Sequence, residues 1–255
     1  MRGRPGHAKL RRMRILIANA NTTDAITEAC VTAARHAAAP GTAIIGATPA
    51  FGPRVISTRA ENAIASHALL DTLAAHAGQV DAVILAVSHD TALEAARQMM
   101  PCPVIGMTEA ACLTACMLGG RFAILTLGDA TMYEELVARH GLSARCGAVH
   151  GIPATPQDTL RDPARVQAML VEAIEALSRR ADSVVLAGAV LAGMDRILQP
   201  RASLPLLDGI SCAVKLAETL VGMKLPKPSA GSYAPPRGRE AIGLSVPLAS
   251  LLRGE

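Results

Sequence analysis

Apolar residues along this chain come in short runs separated by longer amphipathic stretches. Arg14–Ala18 (RILIA) is the first run, and it ends in the polar residues Asn19, Asn21, Thr22 and Thr23. A helix is expected next, with Thr23 or Asp24 at its N-cap, because short oxygen-bearing side chains accept from the free amides of a first turn. Thr42–Ala47 predicts a second strand, and Phe51-Gly52-Pro53 then breaks the chain. Glu61–His76 places Ile64, Leu70 and Leu73 at helical spacing. Asp81–Val87 (DAVILAV) is apolar after its first residue, as a strand buried on both faces of a parallel sheet requires. Ser88-His89-Asp90-Thr91 turns it into a helix over Ala92–Met100. A strand at Pro103–Ile105 and a helix at Thr108–Leu118 complete the half. Strands alternating with helices predict right-handed βαβ units and a parallel sheet.

The pattern then repeats. RILIANANTTDAITE at residue 14 matches RFAILTLGDATMYEE at residue 121, both reading as basic residue, strand, polar turn and acidic helix start. DAVILAVSHDTAL at 81 matches DSVVLAGAVLAGM at 182, and Pro103-Val104-Ile105-Gly106 matches Leu206-Leu207-Asp208-Gly209. Any two βα units look alike, but three matches in order with similar offsets point to duplication. The fold class expected is therefore α/β, with two pseudo-symmetric lobes, each a parallel sheet flanked by helices, and a cleft between them. The first lobe is expected over residues 14–107 with part of 205–222, and the second over 108–204. Residues 223–255, rich in Pro, Gly and basic residues at their start, read as an extended arm. Such an arm can wrap a lobe or a partner subunit, and a homo-oligomer is expected.

Charge alters this picture little. The net charge of +4 comes from Arg2, Arg4, Lys9, Arg11 and Arg12, in a stretch without acids, so residues 1–13 read as a disordered basic leader. A nucleic-acid footprint would instead run along a folded face, and two Phe, two Tyr and no Trp leave little for base stacking. No apolar run is long enough for a membrane span or a signal peptide, so a cytoplasmic protein with no membrane partner is expected. The six cysteines form no CxxC and no zinc-finger spacing, so no metal site is expected.

Ligands of open parallel sheets sit beyond the carboxyl ends of the strands, where helix N-termini favour anions. Four turns qualify: Asn19–Thr23, Val87–Thr91, Thr126–Asp129 and Gly188–Val190. Each taken alone also reads as ordinary capping. Arg54 and Arg59 could pair with a carboxylate, though solvated surface charge is the plainer reading.

Taken together, RILIANANTT, FGPRVISTRAENAIASHALLDTL, DAVILAVSHDTALEAAR, CPVIGMTEAA, GRFAILTLG and DSVVLAGAVLAGM resemble the aspartate/glutamate/hydantoin racemase superfamily, in its hydantoin-racemase branch. The resemblance spans roughly residues 14–222. It implies cofactor-independent racemase or isomerase chemistry by proton transfer at carbon, on a small carboxylate or hydantoin-like substrate. It also implies one cysteine per lobe, at positions occupied here by Val87 and Gly188, and neither of these side chains can move a proton. His89 is then the candidate proton carrier, since imidazole titrates near neutrality; a partly exposed turn histidine is the plainer alternative. Asn19, Asn21, Thr22, Val87, Ser88, Asp90, Thr126, Leu127, Gly188 and Ala189 are the candidate substrate contacts. Asp90 also reads as a helix cap. A lyase or decarboxylase needing one proton, and a catalytically silent binder of small acids, remain open.

Overall fold

A computed structural model describes residues 12–255 of the chain; residues 1–11, most of the expected leader, lie outside them. The first lobe runs β1 (Arg14–Ala18), α1 (Asp24–Ala37), β2 (Ala43–Ala47), α2 (Arg59–Ala74), β3 (Ala82–Leu85), α3 (Leu93–Met99) and β4 (Val104–Gly106). Then come α4 (Met107–Leu118), β5 (Phe122–Leu127), α5 (Thr131–Arg139), β6 (Cys146–Ile152), α6 (Asp158–Arg161), α7 (Pro163–Leu177) and β7 (Ser183–Leu186). After α8 (Met194–Leu198), the chain closes with β8 (Leu206–Asp208), α9 (Gly209–Met223) and α10 (Val246–Arg253).

The strands form two four-stranded sheets, ordered β2-β1-β3-β4 and β6-β5-β7-β8. Every pairing is parallel. The two orders are the same permutation, and the repeated sequences fall on equivalent strands. β3 and β7 are central and buried along their whole length, which is why their sequences carry no alternation.

The lobes exchange helices. α4 follows the last strand of the first sheet, yet Ala111, Cys112 and Ala115 pack into the second lobe's core with Phe122, Ile124 and Val185. α9 follows β8 of the second sheet, and Ile210, Ala213, Val214 and Ala217 pack with Ile15, Ile17, Ala82 and Ile84 of the first. Their starts nearly touch: a Cβ on Gly209 would stand 2.8 Å from the Met107 carbonyl oxygen, so only glycine fits there. This exchange fixes the two sheets relative to one another.

Residues 224–245 contain no helix or strand, but the segment expected to be extended to its end closes in α10. Ser245 caps that helix, Pro247 sits in its first turn, and Leu248 is buried in the first lobe's core. Its apolar face, rather than the Pro/Gly content upstream, decides its state. Among the described residues, no helix is long and apolar enough to cross a membrane.

Candidate functional site

The carboxyl ends of β1, β3, β5 and β7 converge on one cavity of about 310 Å³. Its lining includes Asn21, Val87, Ser88, His89, Thr126 and Leu127, together with Gly188 and Ala189. Of the sequence candidates, Asn19, Thr22 and Asp90 stand behind this wall.

Asn19 is fully buried and organises the first turn. Its Oδ1 accepts from the Asn21 amide at 3.1 Å, and its Nδ2 donates to Asn21 Oδ1 at 3.0 Å and Thr27 Oγ1 at 3.1 Å. Asn21 is thereby aimed at the cavity. Thr22 donates its amide to the Pro53 carbonyl at 3.0 Å, and the Thr23 hydroxyl donates to the Arg54 carbonyl at 2.8 Å. These bonds hold the 51–58 loop, whose Val55, Ile56 and Ser57 line the cavity. Thr23 occupies the N-cap position of α1, but its side chain is spent on this loop rather than on the helix.

The β3 turn is closed by the Asp90 amide donating to the Val87 carbonyl at 3.0 Å. Asp90 has φ +48° and a fully buried carboxylate that accepts from the Thr108 and Glu109 amides at 3.1 and 2.8 Å. It therefore caps α4, eighteen residues away, and meets His140 Nε2 at 3.2 Å. Burial pushes its carboxyl up from the ordinary value, while His140 and the two amides pull it back. Glu109 in turn holds the Arg97 guanidinium with both carboxylate oxygens.

His89 is half-buried, and its Nδ1 is enclosed without a hydrogen-bond partner. Burial lowers its pKa, and the nearby Arg139 guanidinium lowers it further, so the ring is neutral at neutral pH. The ring stacks at a tilt on Tyr133, centroids 4.9 Å apart. Tyr133 comes from α5 of the second lobe, and its hydroxyl meets Ser88 Oγ at 2.7 Å across the lobe boundary. Burial raises the phenol's pKa, against hydrogen bonds to Ser88 and Thr126. Sequence reasoning missed Tyr133. The available signal was its register with Leu136 and Val137, which forms the buried face of α5.

The β7 side brings Gly188, Ala189 and Val190, none of which titrates. Gly188 has φ +143°, a conformation that a residue with a Cβ rarely adopts. Among the described residues, no cysteine lines the cavity. Burial pushes Cys30 up to about 12 and Cys102 and Cys212 up to about 11, so these are thiols rather than thiolates at neutral pH. Among the described residues, no lysine or arginine lines the cavity either; Arg59 instead pairs with Glu135 across the lobes. The one acid in the lining among the described residues, Asp129, is exposed and held low by the Thr131 amide and hydroxyl.

With this geometry in view, comparison with known proteins is decisive. The family model described as Asp/Glu/Hydantoin racemase matches residues 15–217. The chain belongs to the Asp/Glu/hydantoin racemase family. It is 30% identical over 236 residues to the hydantoin racemase of Pseudomonas sp. (strain NS671), covering 91% of this chain and 95% of that one. The crystal structure of allantoin racemase from Pseudomonas fluorescens superposes with a TM-score of 0.87 at 34% identity, covering 91% of this chain and all of that one. Allantoin racemase from Klebsiella pneumoniae gives 0.86 at 33% identity, over 92% and 98%. This chain is thus a racemase-family enzyme of the isomerase class, with a two-lobed α/β fold that places its strand tips at one cleft.

Proposed function

We propose that this racemase-family enzyme moves a proton at a carbon next to a carbonyl without a cysteine pair, using His89 as the proton carrier. His89 lines the cavity in the turn after β3 with a neutral imidazole, and this is the observation that carries this reading. A neutral imidazole in reach of the reacting carbon can take its proton, hold it and return it, an effect worth roughly 10²–10⁴ in rate. The amides of Ser88, His89 and Ala189 are the proposed donors to the enolate oxygen that forms when the proton leaves. Asn21 and Thr126 are the proposed contacts to the polar ring atoms.

A neutral hydantoin-like ring suits this cavity better than a carboxylate. A buried carboxylate needs a cation, and none of the described residues lining the pocket supplies one, whereas a cyclic imide needs only hydrogen-bond partners. Ile26, Val55, Ile56 and Met132 offer an apolar wall for the ring substituent. Incubating single enantiomers of aliphatic and aromatic 5-substituted hydantoins in D₂O should place deuterium at C5. Absence of exchange across that panel would leave a silent binding protein.

A second reading is favoured by where the titratable groups lie. His89, Ser88 and Tyr133 form one cluster, while Gly188–Val190 contribute no proton carrier. A cluster on one side suits exchange with retention, or protonation of a carbanion after bond cleavage. Chiral analysis of the deuterated product separates these outcomes from racemisation.

A further inference from the structure

A second cavity, of about 320 Å³, opens at the amino-terminal edge of β4, at the opposite end of the strands from the cleft. Pro103 and Val104, Leu220 of α9, and Leu225 and Pro226 of the following segment make its walls apolar. That segment is held on α3 by two bonds: Lys227 Nζ donates to the Arg97 carbonyl, and Gln98 Nε2 donates to the Ser232 carbonyl at 3.3 Å.

Two cations line this pocket, and they differ in kind. Arg97 is neutralised by Glu109 through its Nη1 and Nη2. Lys227 is half-buried, and among the described residues no carboxylate lies within 4.0 Å of its ammonium. A carbonyl oxygen is a polar partner but not a counter-charge. The enclosure therefore holds a single uncompensated positive charge at the edge of an apolar surface. Burial lowers the Lys227 pKa, with the neighbouring Cys102 opposing.

We propose that this pocket is a second ligand site, taking a small monocarboxylate with an apolar body. The carboxylate sits on Lys227 Nζ, and the body packs against Leu220, Leu225 and the prolines. One free cation matches one negative charge; a phosphate dianion would need a second, and Arg97 is already committed. An apolar body is required because the walls offer few hydrogen-bond partners. Through Arg97 the pocket also adjoins Glu109 and so Asp90, the residue after His89.

Calorimetric titration of the full chain with pentanoate and 3-phenylpropanoate, alongside their neutral amides, tests the site. The acids should bind saturably and at least about tenfold more tightly than the amides, as loss of a charge-assisted hydrogen bond implies. Lys227→Met should weaken acid binding by a similar factor, Lys227→Arg should retain most of it, and His89→Ala should leave it unchanged. The proposal is overturned if amides and acids bind alike, or if Lys227→Met has no effect. Loss of binding in His89→Ala would place the acids in the cleft, and no binding at millimolar concentrations would remove the site altogether.

Discussion

At the residue scale, the proposed chemistry turns on His89 and on what stands at positions 87 and 188. The folded His89 pKa lies below its ordinary value of 6.5, so the unfolded chain takes up this proton first as pH falls. Stability from the neutral ring is therefore complete above 6.5 and is lost as pH drops through the folded pKa below it. The same neutral form is the proposed base, so the acid limb of the exchange rate should also fall below 6.5. A limb at or above 6.5 in a pH–rate profile would assign the proton transfer to another group. Gly188→Ala should cost about 1–3 kcal/mol in urea unfolding, because φ +143° is essentially reserved for glycine. A cost near zero would mean that this backbone relaxes freely. Alkylating accessible thiols should leave exchange intact, since no cysteine among the described residues lines the cavity. The sequence revealed His89, Val87 and Gly188 as wall residues because each follows a legible buried strand. It hid the role of Asn19 and which helix Asp90 caps, because a carboxylate or amide serves substrate and backbone alike and only the partners distinguish them.

At the scale of elements, the strands and their parallel pairing were readable because β3 and β7 are unbroken apolar runs and the repeat sets their equivalence; the order of strands within each sheet was not. Side-chain partners distant in sequence were not readable. Asp90 caps α4 rather than the helix beside it, and it brings in His140 from the second lobe, fifty residues away. Asp90→Ala strands two amides and a largely buried imidazole, and is expected to cost about 2–4 kcal/mol in urea unfolding. A loss below 1 kcal/mol, on the scale of an exposed cap, would show that the turn is held by other bonds. The C-terminal helix was legible in principle: Ser245 followed by Pro247 and an apolar face is a helix start, outweighed in the reading by the Pro/Gly stretch before it.

At the scale of the whole molecule, exchanged helices fix the sheets while a few polar contacts bridge the mouth of the cleft. The Ser88–Tyr133 hydrogen bond and the Arg59–Glu135 ion pair both join the first lobe to α5. The ion pair is exposed and contributes little. The buried bond should count for more: Tyr133→Phe is expected to lower stability by about 0.5–1.5 kcal/mol and to slow exchange, because His89 loses a fixed neighbour. Unchanged exchange in that variant would reduce Tyr133 to packing. That the cleft moves a proton through His89, without thiols, is most directly tested by following deuterium incorporation at C5 of one hydantoin enantiomer, in wild type and in His89→Ala. Exchange by the wild type that falls at least about a hundredfold in the variant, with its fold intact by circular dichroism, is the expected result. Equal exchange in both proteins, or none in the wild type, would contradict it.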